Sequence, residues 1–269
     1  MATQREGWWA MRGARMLWAP LALALVVTFV LAGCGSESGS VRVASTATPT
    51  TPQPTATATL TVPMRTVTFM TPDGLRLGGT LYGSGTVGVA LSHQIDGTQN
   101  QWRGFARQLA AHGYMALAFD FRGRNTSAGP RDISKEDVDL RAAIGFLRAQ
   151  GAKRIALMGA SLGGAVTLRV ATTESVAAVA TLSAVPSIST QEVTDATILA
   201  IKAPKLFINS ELDYAASSTQ HMYDIASPPK QIYIYPGNAH GVGIFSEYGP
   251  DLTQRLLTFM DTYAPAHAQ

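Results

Sequence analysis

One six-residue stretch, Gly159-Ala160-Ser161-Leu162-Gly163-Gly164, restricts what this chain can be more than any other. It reads G-x-S-x-G. Before it, Arg154-Ile155-Ala156-Leu157-Met158 is a short apolar run with the length of a buried strand. After it, Leu162 to Thr172 is rich in Ala, Leu and small residues and predicts a helix. A serine on a tight strand-to-helix turn is lifted out of the sheet, where a base can reach its hydroxyl. The next amide, on Leu162, points to where a negative oxygen would form during attack on a carbonyl. Glycine flanks are expected because the cramped backbone needs dihedrals that only glycine tolerates cheaply.

Such a serine needs an imidazole to take its proton and a carboxylate to orient the imidazole. Downstream lies Pro204-Lys205-Leu206-Phe207-Ile208-Asn209, a strand-like run, then Ser210-Glu211-Leu212-Asp213. Further on, Lys230-Gln231-Ile232-Tyr233-Ile234-Tyr235 reads as another strand, followed by Pro236-Gly237-Asn238-Ala239-His240-Gly241. Asp213 and His240 thus both fall in loops just past strand ends. In open α/β sheets that is the edge where sites assemble.

The chain has 269 residues, and the first of them read as processing signals. Arg5, Arg12 and Arg15 precede an almost continuous apolar run from Leu17 to Leu31, the pattern of a secretory signal over residues 1–33. Leu31-Ala32-Gly33-Cys34 resembles the bacterial lipobox. That resemblance implies cleavage before Cys34, the only cysteine of the chain, and lipidation of its sulfur. The alternative is an uncleaved membrane anchor, for which the run is short and interrupted by Pro20. Either tethers the protein outside the cytoplasm. A lipidated Cys34 leaves no thiol for a disulfide.

Residues 34–63 are dominated by Thr, Ser, Ala and Pro. They cannot bury enough apolar surface to fold and read as an extended stalk. An O-glycosylated or wall-binding segment fits the same composition. From Met64 onward the chain suffices for one domain with its own core. Of the net charge of +3, Arg5, Arg12, Arg15 and Glu6 supply +2. The remainder is close to neutral, without a basic stripe or interleaved aromatics, so no nucleic-acid partner is expected.

Within the domain, Val67 to Met70 and Leu75 to Tyr82 predict hairpin strands around Thr71-Pro72-Asp73-Gly74. Val87 to Ser92 is a third strand. Gln101 to His112 has helical spacing, with Trp102, Phe105, Ala106 and Leu109 on one face, and closes at Gly113. Tyr114 to Asp120 is a buried strand. Lys135 to Gln150 is an amphipathic helix with Val138, Ile144 and Leu147 inward. Val176 to Leu182 is a strand after the Ser161 helix. Alternating strands and helices imply a largely parallel sheet with right-handed crossovers.

From about Thr66 onward the chain resembles the α/β-hydrolase superfamily, nearest its small dienelactone-hydrolase-like and esterase members. Leu91-Ser92-His93 resembles the family's strand ending in His-Gly. Trp102-Arg103-Gly104-Phe105-Ala106 and Ala111-His112-Gly113-Tyr114 resemble its first helix and next strand. Phe119-Asp120-Phe121-Arg122-Gly123 with Ser127 resembles its Asp-x-Arg-Gly loop. The Ser161 turn, Asp213 and His240 complete the set, in the family's order of serine, acid, histidine. The implied fold is a mostly parallel sheet flanked by helices. Only residues 183–203 separate two of its strands, which leaves room for a minimal cap with one lid helix at Gln191 to Ile201.

The resemblance implies Ser161 as nucleophile, His240 as general base and Asp213 as its orienting acid. Glu211 is two residues early for the acid, and Asp224 falls inside the next helix. Of the five histidines, His112, His221 and His267 are expected at the surface, and His93 is expected to tie its loop to its neighbours. The family's oxyanion hole takes a second amide from the loop His93-Gln94-Ile95-Asp96-Gly97, where Ile95 matches by position. Gln94 departs from the usual glycine, and its side chain could enter the pocket. Asp120 and Arg122 are expected to be a fold-stabilising loop pair.

An aspartate at the position of Ser161 would belong to dehalogenases and epoxide hydrolases, and a cysteine to dienelactone hydrolases proper. No Gly-Lys-Ser/Thr follows the glycines, so they are not a P-loop. No His/Cys/carboxylate cluster has metal-ligand spacing. No cofactor is expected. The expected partners are a small acyl ester and, through Cys34, a membrane. The same machinery serves amides, peptides or acyl transfer. An envelope binding protein that kept the fold without activity is the reading from another class.

Overall fold

The computed structural model describes residues 62–189 and 191–267. The signal, Cys34 and nearly all of the stalk lie outside the described residues. Ten strands and six α-helices follow in chain order among those described. They are β1 (Met64–Met70), β2 (Arg76–Tyr82), β3 (Val87–Ser92), α1 (Arg103–Ala111), β4 (Met115–Phe119), α2 (Glu136–Ala149), β5 (Arg154–Ala160) and α3 (Leu162–Val170). Then come β6 (Ala178–Leu182), β7 (Ser187–Ile188), β8 (Gln191–Glu192), α4 (Asp195–Ala200), β9 (Lys205–Ser210), α5 (Ala216–Ile225), β10 (Lys230–Tyr235) and α6 (Ile244–Tyr263).

Eight strands form one sheet in the order β1-β2-β4-β3-β5-β6-β9-β10. β1 and β2 are the predicted hairpin, and β2 meets β4 antiparallel. From β4 to β10 every neighbouring pair is parallel. This is the largely parallel sheet that the alternating pattern predicts, in the α/β-hydrolase arrangement that the resemblance implies. The chain builds outward from β3 to β4, then crosses back to place β5 on the other side of β3. The crevice at that reversal opens past the carboxyl ends of β3 and β5. The Gln94–Ile95 loop and Ser161 both emerge there.

Side chains alternate between the sheet's two faces, as the pleat requires. In β5, Ile155 and Leu157 join one core cluster while Ala156 and Met158 join the other. Both faces of this strand are covered, so its sequence is continuously apolar. Helices α2, α3 and α5 pack on the first face, and α1 and α6 on the second. The face predicted for the first helix is correct: Trp102, Phe105, Ala106 and Leu109 are buried. In α2 the inward stripe is Leu140, Ala143, Ile144 and Leu147, whereas Val138 is only half-buried. The predicted lid helix is shorter than expected: Gln191–Glu192 pairs with Ser187–Ile188 as a small hairpin before α4.

Asp120 and Arg122 do not pair with each other. Asp120 accepts hydrogen bonds from Gln99, Asn125 and Thr126. Arg122 instead grips Asp139 of α2 at 2.6 Å and Asp73 of the β1–β2 turn at 2.8 Å. Both residues are structural, but each organises a different part of the loop.

Glu136, at the start of α2, is 1% exposed, and its Oε2 has no hydrogen-bond partner. Burial, reinforced by the charge of Asp139, pushes its carboxyl up to about 8. The folded chain therefore holds a proton that the unfolded chain has lost between pH 4.5 and about 8. Stability should fall as pH rises through that window. Glu136→Gln, which keeps the shape without the charge, should melt higher than the parent above pH 8, by a few degrees, and close to it near pH 4.5. Thermal melts across this range check it; parallel curves for the two proteins would contradict it.

Candidate active site

Ser161 follows directly on β5 and caps α3 with φ 51° and ψ −117°. A non-glycine residue rarely adopts positive φ, and strain of this kind gathers at functional sites. The glycines around it serve a different purpose from the one expected. None of Gly159, Gly163 and Gly164 has a left-handed φ; what they provide is space. A Cβ on Gly159 would lie 2.2 Å from the carbonyl oxygen of Gly163, and one on Gly163 would lie 2.4 Å from that of Ser92. One on Gly164 would press on Ala184 at 2.9 Å. These close approaches bring α3 down against β5 and the loop after β3, while the serine itself takes the strained conformation. The amide of Leu162 is the first of α3, where helix N–H groups lack intrahelical partners and favour negative charge.

Asp213 and His240 meet. His240 Nδ1 lies 2.6 Å from Asp213 Oδ2, and the Asp213 side chain is almost fully buried. The other carboxylate oxygen accepts the amide of Ala215 at 2.7 Å. Both oxygens are thereby fixed, and the carboxylate faces the imidazole in a single orientation. An ionised carboxylate only accepts, so Nδ1 carries the hydrogen and Nε2 presents its lone pair. Glu211 and Asp224 are exposed and take no part in this pair.

The His240 loop is secured from three sides. Gly241 donates to Ser183 Oγ at 2.9 Å, and Ser183 donates to Asn209 Oδ1 at 2.6 Å. Asn209 in turn donates to Thr219 at 2.9 Å. The amide of Leu212 donates to Gly237 O at 2.9 Å. Gln94 reaches across from the β3 loop, and its Oε1 accepts the amide of Val242 at 3.3 Å. A Cβ on Gly241 would stand 3.4 Å from Ala160 Cβ, so this loop lies against the Ser161 turn. Ser161 shares the edge but is not hydrogen-bonded to His240. Nε2 is met instead by the Tyr214 hydroxyl at 3.2 Å.

The Ile95 amide belongs to the peptide whose carbonyl is that of Gln94. That carbonyl accepts His93 Nδ1 at 2.7 Å and the amide of Gly97 at 2.9 Å. A trans peptide points its N–H opposite to its C=O, so pinning the oxygen aims the Ile95 amide. His93 has a fixed tautomer, because its Nε2 accepts the amide of Phe121 at 3.1 Å. Burial lowers its basicity and keeps it neutral. His93 is the loop tie expected from the sequence, and Gln94 joins the two loops. His112, His221 and His267 are exposed, as expected.

An open groove of about 510 Å³ starts at Ile95 and is lined by Arg131, Asp132, Ile133, Ser134 and Ser189. Among the described residues no His/Cys/Asp/Glu group is placed to hold a metal ion. The residues that sequence reasoning missed are Ser183, Asn209 and Tyr214. Asn209 carried a signal, as a polar residue inside an apolar strand. Ser183 carried none, since its role depends on a loop 58 residues away.

The fold and this edge define an α/β hydrolase. The alpha/beta hydrolase family matches residues 97–266, and the chain belongs to that family. Among curated proteins it is similar to cutinase est2 of Thermobifida alba, 28% identical over 197 residues, or 67% of this chain and 60% of the cutinase. The match therefore spans less than two thirds of that relative's length. Among solved structures it is similar to an esterase of Pyrococcus furiosus, with TM-score 0.66 and 19% identity over 75% of this chain and 91% of that one. The esterase domain of a Rhodothermus marinus protein gives TM-score 0.61 and 23% identity over 75% and 99%. At these identities the structural likeness speaks to the fold.

Proposed function

We propose that this chain is a membrane-tethered, extracytoplasmic serine hydrolase that cleaves carboxylic esters. The observation that carries the reading is the 2.6 Å pair of His240 with Asp213, the His240 loop lying against the strained Ser161 turn. Ser161 Oγ attacks the ester carbonyl, and its proton passes to His240 Nε2. Asp213 steadies the charged ring. The carbonyl electrons move onto oxygen, which rests between the amides of Leu162 and Ile95. Collapse expels the alcohol, protonated by His240, and leaves an acyl-Ser161 ester. Water then attacks that ester with His240 as base and releases the acid.

The similarity to a cutinase favours esters over amides. Within the family this chain belongs with its small esterase-like, dienelactone-hydrolase-like members, since only a two-strand hairpin and α4 stand between β6 and β9. The groove at Ile95 is wide and carries Arg131, Asp132, Ser134 and Ser189. It suits short or polar acyl groups better than long apolar chains. Assay of the purified full chain against matched short-chain esters and amides tests the reaction class. Esters should turn over and the amides should not; the reverse preference would overturn the ester assignment.

Tethering rests on the leader and on Leu31-Ala32-Gly33-Cys34. One acyl chain holds a protein at a membrane only marginally, whereas two or more anchor it stably. Diacylglyceryl modification of Cys34 therefore suffices without a spanning helix. Expression with a fatty-acid analogue should label the parent and not Cys34→Ser, which should keep its leader. An unlabelled parent would contradict lipid anchoring.

A further inference from the structure

Tyr214 has no assigned part in the chemistry described above, yet it touches the reacting nitrogen. It follows Asp213 directly, and the residue is 75% exposed. Its ring stacks on His240, with centroids 4.8 Å apart and planes at 24°. Its hydroxyl lies 3.2 Å from His240 Nε2. Because Asp213 fixes the hydrogen on Nδ1, Nε2 offers only a lone pair, and the tyrosine must be the donor in that contact.

We propose that Tyr214 is a further catalytic residue, which donates a hydrogen bond to the leaving-group oxygen of the ester. The inference rests on the ester-cleaving reading of Ser161 and His240. Ser161 needs the same lone pair on Nε2, so its hydroxyl displaces that of Tyr214 when attack begins. Once Nε2 is protonated it can no longer accept, and the Tyr214 hydroxyl is free to donate elsewhere. As the tetrahedral adduct collapses, the bond from carbon to the alcohol oxygen breaks and its electron pair stays on that oxygen. The proton on Nε2 moves to the same oxygen, which must therefore stand within hydrogen-bond reach of Nε2. The Tyr214 hydroxyl, released from its resting position 3.2 Å from Nε2, stays beside that oxygen and turns to donate to it. Tyr214 gives up no proton; its bond shortens as charge collects on the departing oxygen. The exposed ring also lets the alcohol part of a substrate approach without displacing any buried group.

The test uses the purified full chain and Tyr214→Phe, which keeps the stacked ring and removes the hydroxyl. Both are assayed on acetates of a simple alkanol and of p-nitrophenol. Nitrophenolate departs without a donor, whereas an alkoxide needs one. The expected result is a loss of kcat/KM on the alkyl ester at least about tenfold larger than on the nitrophenyl ester. Tyr214→Leu, which removes ring and hydroxyl together, should discriminate at least as strongly. Equal losses on the two esters, or no loss on either, would overturn the proposal. A fluorophosphonate adduct at Ser161 separates the two levels. Equal losses in a chain that forms the adduct remove only the role of Tyr214, whereas a parent that forms none removes the serine reading and this role with it.

Discussion

Ser161→Ala should lower kcat on a short ester by about a millionfold while leaving the fold intact. The size follows from the proposed triad, whose three side chains would act as a unit. Without the hydroxyl there is no acyl-enzyme, and His240 has no proton to accept from this position. What would remain is the proposed oxyanion pair, the amides of Leu162 and Ile95, with a smaller rate advantage over water. The fold should survive because the conformation at residue 161, φ 51°, is imposed by the close packing of Gly159, Gly163 and Gly164 and not by the hydroxyl. Strain at such a residue costs about 1–3 kcal/mol. Ser161→Gly should therefore be equally inactive but melt higher than the parent. Kinetics with thermal melts of both variants check this. Retained activity in Ser161→Ala would remove the serine from the mechanism.

Asp213→Asn should cost about ten-thousandfold in kcat, by analogy with the serine-protease acid. The structure supplies the reason. Oδ2 of Asp213 faces His240 Nδ1 at 2.6 Å, while Oδ1 is held by the amide of Ala215. An asparagine that keeps the Ala215 bond turns its NH₂ toward the imidazole. Nδ1 must then accept, the hydrogen shifts to Nε2, and Nε2 can no longer take the proton of Ser161. The fold changes little, since the replacement has the same shape. Glu211→Gln, two residues away on the exposed side, should leave kcat within a few-fold of the parent. The opposite pattern in steady-state kinetics would assign the acid to Glu211.

Local sequence carried the parts of this molecule that repeat with a period or sit at a strand end. The continuous apolar runs of β3, β4 and β5 placed the buried sheet. Ser161, Asp213 and His240 were legible because each follows a recognisable strand. What sequence did not reveal depends on contacts between distant segments. Gly163 looked like a residue chosen for its dihedrals, yet its reason is the carbonyl of Ser92 across the crevice. Asp120 and Arg122 were expected as one loop pair from the family resemblance, but Arg122 reaches Asp73 and Asp139, 49 and 17 residues away. Gln94 looked like an intruder in the oxyanion loop, and instead it bridges to Val242, 148 residues later. Tyr214 gave no signal, because an exposed tyrosine in a loop acquires meaning only when an imidazole stacks on it.

The proposed mechanism stands on the acylation of Ser161. Its most direct test is to incubate the purified full chain with a fluorophosphonate, native and after heat denaturation, and to locate the adduct by mass spectrometry. One adduct per native chain is expected, on Ser161, absent from the denatured chain and from His240→Ala. An adduct on another residue, or none on a folded chain, would contradict it.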